Sequence, residues 1–203
     1  MESFKDLFDL ISAKPTEADT RARRADLVLR AGLGTVVLGA VYGLAAGSSD
    51  LGLALSNLYK VPMVIVLSAL SALPLGLLVW KLTGAANRMS DLFIGTVAGT
   101  FTGALVLAAL APVVALYYHS SAWLGGVLAL VAATAAAGLG SLTLLRSVLN
   151  AAPPGAVRLK SLLPVGAILF MQYATMLQFI HIASPIIPET TVFDGGADAL
   201  FGQ

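Results

Sequence analysis

The sequence predicts an all-α, polytopic membrane bundle of five transmembrane helices, with the amino terminus cytoplasmic and the carboxyl terminus outside. Three observations predict it. The chain is 58% apolar and only 11% charged, against about 45–50% and about 25% in ordinary soluble domains. Five apolar runs, 27–47, 61–82, 92–117, 122–145 and 161–183, reach the length of about 20 residues that crosses a hydrocarbon core of about 30 Å. And 11 of the 12 Lys and Arg residues fall on one side of that arrangement, which the positive-inside rule makes cytoplasmic.

Helices suit such runs because backbone donors and acceptors in lipid must be satisfied within the segment. Alternating strands of about ten residues are absent, which excludes a transmembrane barrel. There are no cysteines, so disulfide frameworks, thiolate metal sites and thiol nucleophiles are excluded together. A net charge of +1 gives no pull towards nucleic acid.

The tail before the first span divides in two. Residues 1–14 place Phe4, Leu7, Phe8 and Ile11 on one helical face. Glu2, Lys5, Asp6 and Asp9 occupy the other. That face is net acidic, whereas an anchor for anionic lipid is rich in lysine. The pattern predicts a passive interfacial helix or one docked on protein. Pro15 ends it, and Thr16 with Asp19 has the spacing of a capping box. Glu17–Arg21, Asp19–Arg23 and Asp26–Arg30 are each four apart with the acid first, the favourable order. The cluster Arg21, Arg23 and Arg24 fixes topology or meets lipid phosphates. About 26 residues precede the first apolar run, which is too long and too late for the hydrophobic region of a cleaved signal.

Within the spans, Gly39, Gly43 and Gly47 recur every four residues, as do Gly95, Gly99 and Gly103. Each ridge exposes backbone along one helix face and predicts close helix contact in lipid. Pro74 and Pro112 predict kinks, with Ser71 placed to help satisfy the carbonyls freed by Pro74. Pro164 is expected in the first turn of the fifth span, where its missing N–H costs nothing. "NAAPPGAVRLK" reads as a rigid turn. Tyr42, Tyr59, Tyr117, Tyr118 and Trp123 are expected at the outer membrane boundary, and Trp80 at the inner one.

Ionisable residues inside spans are the usual pointer to function in such proteins. Here no Asp or Glu falls in the middle of a span. His119 and His181 are isolated and lack the ligand set of a metal site. No catalytic triad, phosphate loop or cofactor motif is present. The most polar span is the fifth, where Gln172, Thr175 and Gln178 are three apart and form a band about 120° wide. Such a band is expected to face the bundle and hydrogen-bond across helices.

Lys60 is the one base on the outer side. The preceding stretch, 51–59, is expected to lie along the outer interface as a partial helix, with Pro62 in the first turn of the second span. Lys60 either snorkels to headgroups or contacts the acidic tail 184–203, which carries Glu189, Asp194 and Asp198.

The layout resembles bacterial five-span, Yip1-like integral membrane proteins. The resemblance covers the second to fifth helices and rests on "KVPMVIVLSALSALP" at 60–74 and on Gln178 followed seven residues later by Pro185. The Trp and Arg that accompany that Gln and Pro in the family are missing, as is the acidic Asp-Leu-Tyr-Gly-Pro stretch of the eukaryotic branch. The resemblance implies a membrane-organising or partner-binding protein rather than an enzyme.

The sequence thus leads to a non-enzymatic scaffold or accessory subunit of the bacterial inner membrane. Its expected partners are the bilayer and further copies or other membrane subunits, with no cofactor, nucleic acid or identified small substrate. The alternative is a small transporter or channel using Pro74, Pro112 and the polar band. Five spans do not divide into the paired repeats common in transporters.

Overall fold

Helices form here because the chain offers long runs of apolar residues between a few well-marked ends. The computed structural model describes residues 2–12, 21–153 and 158–187. Within them lie α1 (Glu2–Ile11), α2 (Arg21–Ala46), α3 (Leu51–Thr83), α4 (Met89–Ser120), α5 (Ala122–Asn150) and α6 (Arg158–Ala183), and no strand. The last five are each long and apolar enough to cross a membrane. The chain is a five-span, all-α membrane protein.

The helix ends explain where the spans differ from expectation. The Asp50 carboxylate accepts the Leu53 N–H at 2.8 Å, a strong N-cap. The chain therefore becomes helical at Leu51. Residues 51–59 are the first turns of α3 and not a separate interfacial piece. α3 runs for 33 residues, or about 50 Å. Pro62 stands in its interior rather than its first turn and leaves the Leu58 carbonyl without its helical donor. Gly84 closes α3 with φ 60°, a left-handed cap that glycine adopts freely. α4 opens where the Arg88 N–H donates to Asp91 at 2.9 Å. α6 begins at Arg158, so Pro164 is its seventh residue and sits in the second turn, again later than expected. Ser71 donates to the Leu67 carbonyl at 2.7 Å, and not to the Leu70 carbonyl that Pro74 deprives of a partner.

The spans form an open ring in the order α6, α3, α2, α4, α5. α4 lies along α5 and α3 along α6, while α2 joins the two pairs. α5 and α6 touch only sparsely, and so do α3 and α4. One buried cluster joins Tyr42, Val61, Leu107, Val114 and Ala132 at the end that carries Lys60. Another joins Ala72, Leu92, Leu144, Val148 and Ile168 at the opposite end, which carries Asn87.

α1 docks on the bundle. Leu10 is buried against Leu27, Ala31, Ala98 and Phe101, and Arg23 pairs with Asp6 at 3.0 Å. The acidic face of α1 is thereby used by protein. Arg24 reaches the Ser90 hydroxyl at 3.3 Å. Asp26 and Arg30 pair at 2.8 Å as the spacing predicts. Pro15, Thr16, Glu17 and Asp19 lie outside the described residues, as do part of the 150–160 turn and the side chain of Arg21.

The glycine ridges are consumed within the chain. A methyl group on Gly43 would collide with the Asn57 carbonyl of α3, and one on Gly47 would stand 2.5 Å from the Ala54 nitrogen. Gly39 faces Pro62 and Ile65. On α4, Gly95 faces Val148 and Leu144, and Gly103 faces the Ala136 carbonyl at 3.2 Å. Gly99 is the tightest of the three, 2.6 Å from the Gly140 carbonyl of α5. Gly32 and Gly138 have nothing within 4 Å.

This contrast separates two effects of glycine. Gly43→Ala and Gly99→Ala should each cost about 1–3 kcal/mol through overpacking and lower the unfolding temperature in detergent. Gly32→Ala and Gly138→Ala should hold or raise it, since alanine is better in a helix by up to about 1 kcal/mol. Equal responses from the two pairs would refute the close contacts.

Candidate functional site

The sparse contact between α5 and α6 leaves a cavity of about 470 Å³ among α3, α4, α5 and α6, topped by residues 184–187. That is within the range of about 300–1,000 Å³ typical of ligand pockets. Its origin lies in residue size. Gly99, Gly103, Gly140 and a run of alanines on α5 form one wall. These small side chains bring α4 and α5 together and leave nothing to fill the space towards α6. Along α5 the lining runs from Ala129 to Leu144, about 22 Å at the helical rise.

The wall is mostly carbon, and the hydroxyls that its helices contribute are already occupied. Tyr42 donates to the Ala129 carbonyl at 2.8 Å. Thr96 donates to Leu92 at 2.8 Å and Thr100 to Thr96 at 2.7 Å. Tyr173 crosses from α6 to donate to the Ala137 carbonyl at 2.9 Å and also meets the Ser141 hydroxyl. This polar bridge joins α5 to α6. Gln172, beside it, faces the cavity, and its amide makes no hydrogen bond among the described residues. Twelve residues separate it from Lys160 and eleven from Ala183, so it stands at the middle of the span.

The polar band therefore does not act as a unit. Gln172 lines the cavity. The Thr175 hydroxyl donates to its own helix at Met171, 2.8 Å away, with the Ser68 carbonyl of α3 at 3.5 Å. Gln178 is exposed on the outside of the bundle. The cause is rotation: residues three apart drift by about 60° each, and α6 is covered on one side only. Its most apolar stretch is 17% buried, against 28–44% for the other four spans.

The Lys60 end is closed by a strap. After α6 the chain turns back through Ser184 and a cis peptide to Pro185. Lys60 donates to the Pro185 carbonyl at 3.1 Å. Asn57, 0% exposed, donates from its amide nitrogen to the Ile186 carbonyl at 2.6 Å. Ile186 and Ile187 then pack on the Tyr42–Val114 cluster. Lys60 thus contacts the beginning of the tail through a carbonyl. Glu189, Asp194 and Asp198 lie outside the described residues.

The opposite end has its own clasp, built on buried Asn87. Its amide donates to the Val148 carbonyl at 2.7 Å, its side-chain oxygen accepts from Ser161, and its backbone carbonyl accepts the Trp80 indole N–H at 2.8 Å. Trp80 thereby serves the loop. Tyr42 and Tyr118 lie at the Lys60 end, as expected of outer-boundary residues, but are buried between helices; Tyr59 is exposed. Asn57 and Asn87 were both missed in the sequence. Asn57 shares a helical face with Val61, Val64 and Ser68, all buried, a register visible only once the helix is extended back to Leu51.

With no group of three His, Cys, Asp or Glu among the described residues, the chemistry the cavity offers is apolar contact with one free amide. The strap can be tested directly, since a chain without cysteine allows a single label. Each bond to it contributes about 1 kcal/mol, enough to change an open population about fivefold. Lys60→Gln and Asn57→Ala should each speed maleimide labelling of Ile187→Cys in membranes by that order, and together by more. Unchanged rates would sink the strap. No family model, curated protein or solved structure matches the sequence.

Proposed function

We propose that the chain is a non-enzymatic scaffold or accessory subunit of an oligomer or larger complex in a bacterial cytoplasmic membrane, with its amino terminus inside. The observation that carries this reading is the Gln178 amide, exposed on the least covered span. Gln178 lies five residues from the end of α6, about 7.5 Å along the axis. An amide facing hydrocarbon is costly to leave unpaired, and a neighbouring helix relieves that cost. Phe170, 72% exposed, extends the uncovered surface of α6 towards the Asn87 end. The basic residues support the orientation: those of the described segments other than Lys60 gather at the Asn87 end, which the positive-inside rule places in the cytoplasm.

The Yip1-like resemblance points the same way. The two stretches that carry it, around Lys60 and around Pro185, touch each other in the fold. A small-solute transporter is the second reading, and the cavity with Gln172 at mid-membrane is what favours it.

An interhelical polar contact in lipid contributes roughly 1–2 kcal/mol, or about tenfold in association. Native mass spectrometry of a gentle membrane extract should show a defined assembly. Gln178→Leu should reduce it about tenfold, while Gln172→Leu leaves it in place. A monomer in the wild-type extract would overturn the scaffold reading. Solute flux through the purified protein in liposomes, abolished by Gln172→Leu, would establish the second.

A further inference from the structure

We infer that the cavity between α5 and α6 is a binding site for a neutral, single-chain lipid with a carbonyl-bearing head, entering sideways from the bilayer. Four features lead there. The first is access. The cavity lies at the level of the spans, and its rim includes Ala133, which both lines it and is exposed on the bundle surface. On α6, half-buried Met176 and Ile180 also line the cavity. A molecule already in the membrane reaches such an opening without crossing water.

The second is shape. The lining along α4 and α6 extends over twelve residues each, Thr96 to Leu107 and Leu169 to Ile180. That is about 16 Å, close to half of a hydrocarbon core of about 30 Å. A volume of about 470 Å³ lined over that length suits one acyl chain. The Tyr173 bridge to Ala137 bounds the opening on one side, and the strap at 184–187 caps it on the other.

The third is charge. No Asp, Glu, Lys, Arg or His lines the cavity among the described residues. An ionised head at this depth would be unpaired and strongly disfavoured, which selects against fatty-acid carboxylates and phosphates.

The fourth is polarity without charge. The hydroxyls of Tyr42, Thr96, Thr100, Ser141 and Tyr173 along the lining all donate to backbone carbonyls. The Gln172 amide is left facing the space, its N–H donors and its carbonyl oxygen both unpartnered among the described residues. An uncharged head that carries a carbonyl, an ester, ketone or quinone, meets its donors. The head then rests beside Gln172 and the tail runs along α5 and α6 towards the Lys60 end. This inference uses the cavity face of α6, whereas the assembly reading uses its outer face, so either can fail alone.

The test compares three diazirine-tagged probes of the same C16 chain with the protein in nanodiscs: the methyl ester, the carboxylate and the alkane. The ester should label peptides covering 129–144 and 169–180 saturably, at least fivefold more than the carboxylate. Gln172→Leu, and Gln172→Met, which keeps the side-chain length, should cut ester labelling at least fivefold and leave alkane labelling unchanged. Ala133→Trp, at the exposed rim, should reduce both. Labelling that does not saturate, or ester labelling that survives loss of the Gln172 amide, overturns the assignment.

Discussion

The contact of Gly99 with Gly140 organises this membrane domain. Lipid removes the hydrophobic effect as a force between spans, because the tails are as apolar as leucine. What remains is dispersion, which needs close approach. A methyl group at Gly99 would come within 2.6 Å of the Gly140 carbonyl, so only a pair of glycines lets α4 and α5 pack at that depth. The same device joins α2 to α3 through Gly43 and Gly47. Once α4 and α5 are pressed together, the remaining spans are set: α2 bridges the pairs, α3 carries α6, and the ring stays open between α5 and α6. The cavity follows from that packing, since the side chains small enough to allow the contact are too small to fill the space beside it.

Two buried asparagines hold the ends of this arrangement, and they do different work. Asn87 ties α3, α5 and α6 together, with its amide nitrogen, its side-chain oxygen and its backbone carbonyl all engaged. A satisfied polar network of this kind rigidifies. Asn57 is less complete. Its nitrogen holds the strap at Ile186, but its side-chain oxygen is buried without a partner. An unpaired acceptor costs roughly 1–3 kcal/mol. The Lys60 end is therefore the less fully paired of the two clasps.

Much of the scaffold was legible in the sequence. Five apolar runs became five spans, because composition alone decides whether a helix can live in lipid. The glycine periodicity marked residues that do lie against neighbouring helices. The exact helix ends were less visible. Asp50 caps α3 through one hydrogen bond to Leu53, and that single contact turned an interfacial piece into the start of a long span. The role of Gln172 was only half visible: spacing placed it in a band with Gln178, but which side of α6 is covered depends on α3, and no residue of α6 encodes that. Tyr42 was read as a boundary marker because tyrosines often are, while its partner, the Ala129 carbonyl, is 87 residues away. Such pairings arise from the ring as a whole.

α6 is where the fold leaves its properties unspent. α2, α3 and α4 have neighbours on two sides and α5 rests on α4; α6 is held by α3 and meets α5 chiefly through Tyr173. A helix so placed presents two polar groups to two different surroundings. Gln172 looks into an apolar space with donors unmatched, and Gln178 looks away from the bundle. Neither placement is stable in isolation, since polar groups in lipid seek partners. Two unmatched amides on one helix, Gln172 at mid-span and Gln178 nearer its end, join the buried Thr102 hydroxyl as departures from a purely structural bundle. On the readings proposed above, both faces of α6 are used, one towards the cavity and one towards a neighbouring helix, so a shift of α6 against α3 would alter both surfaces at once.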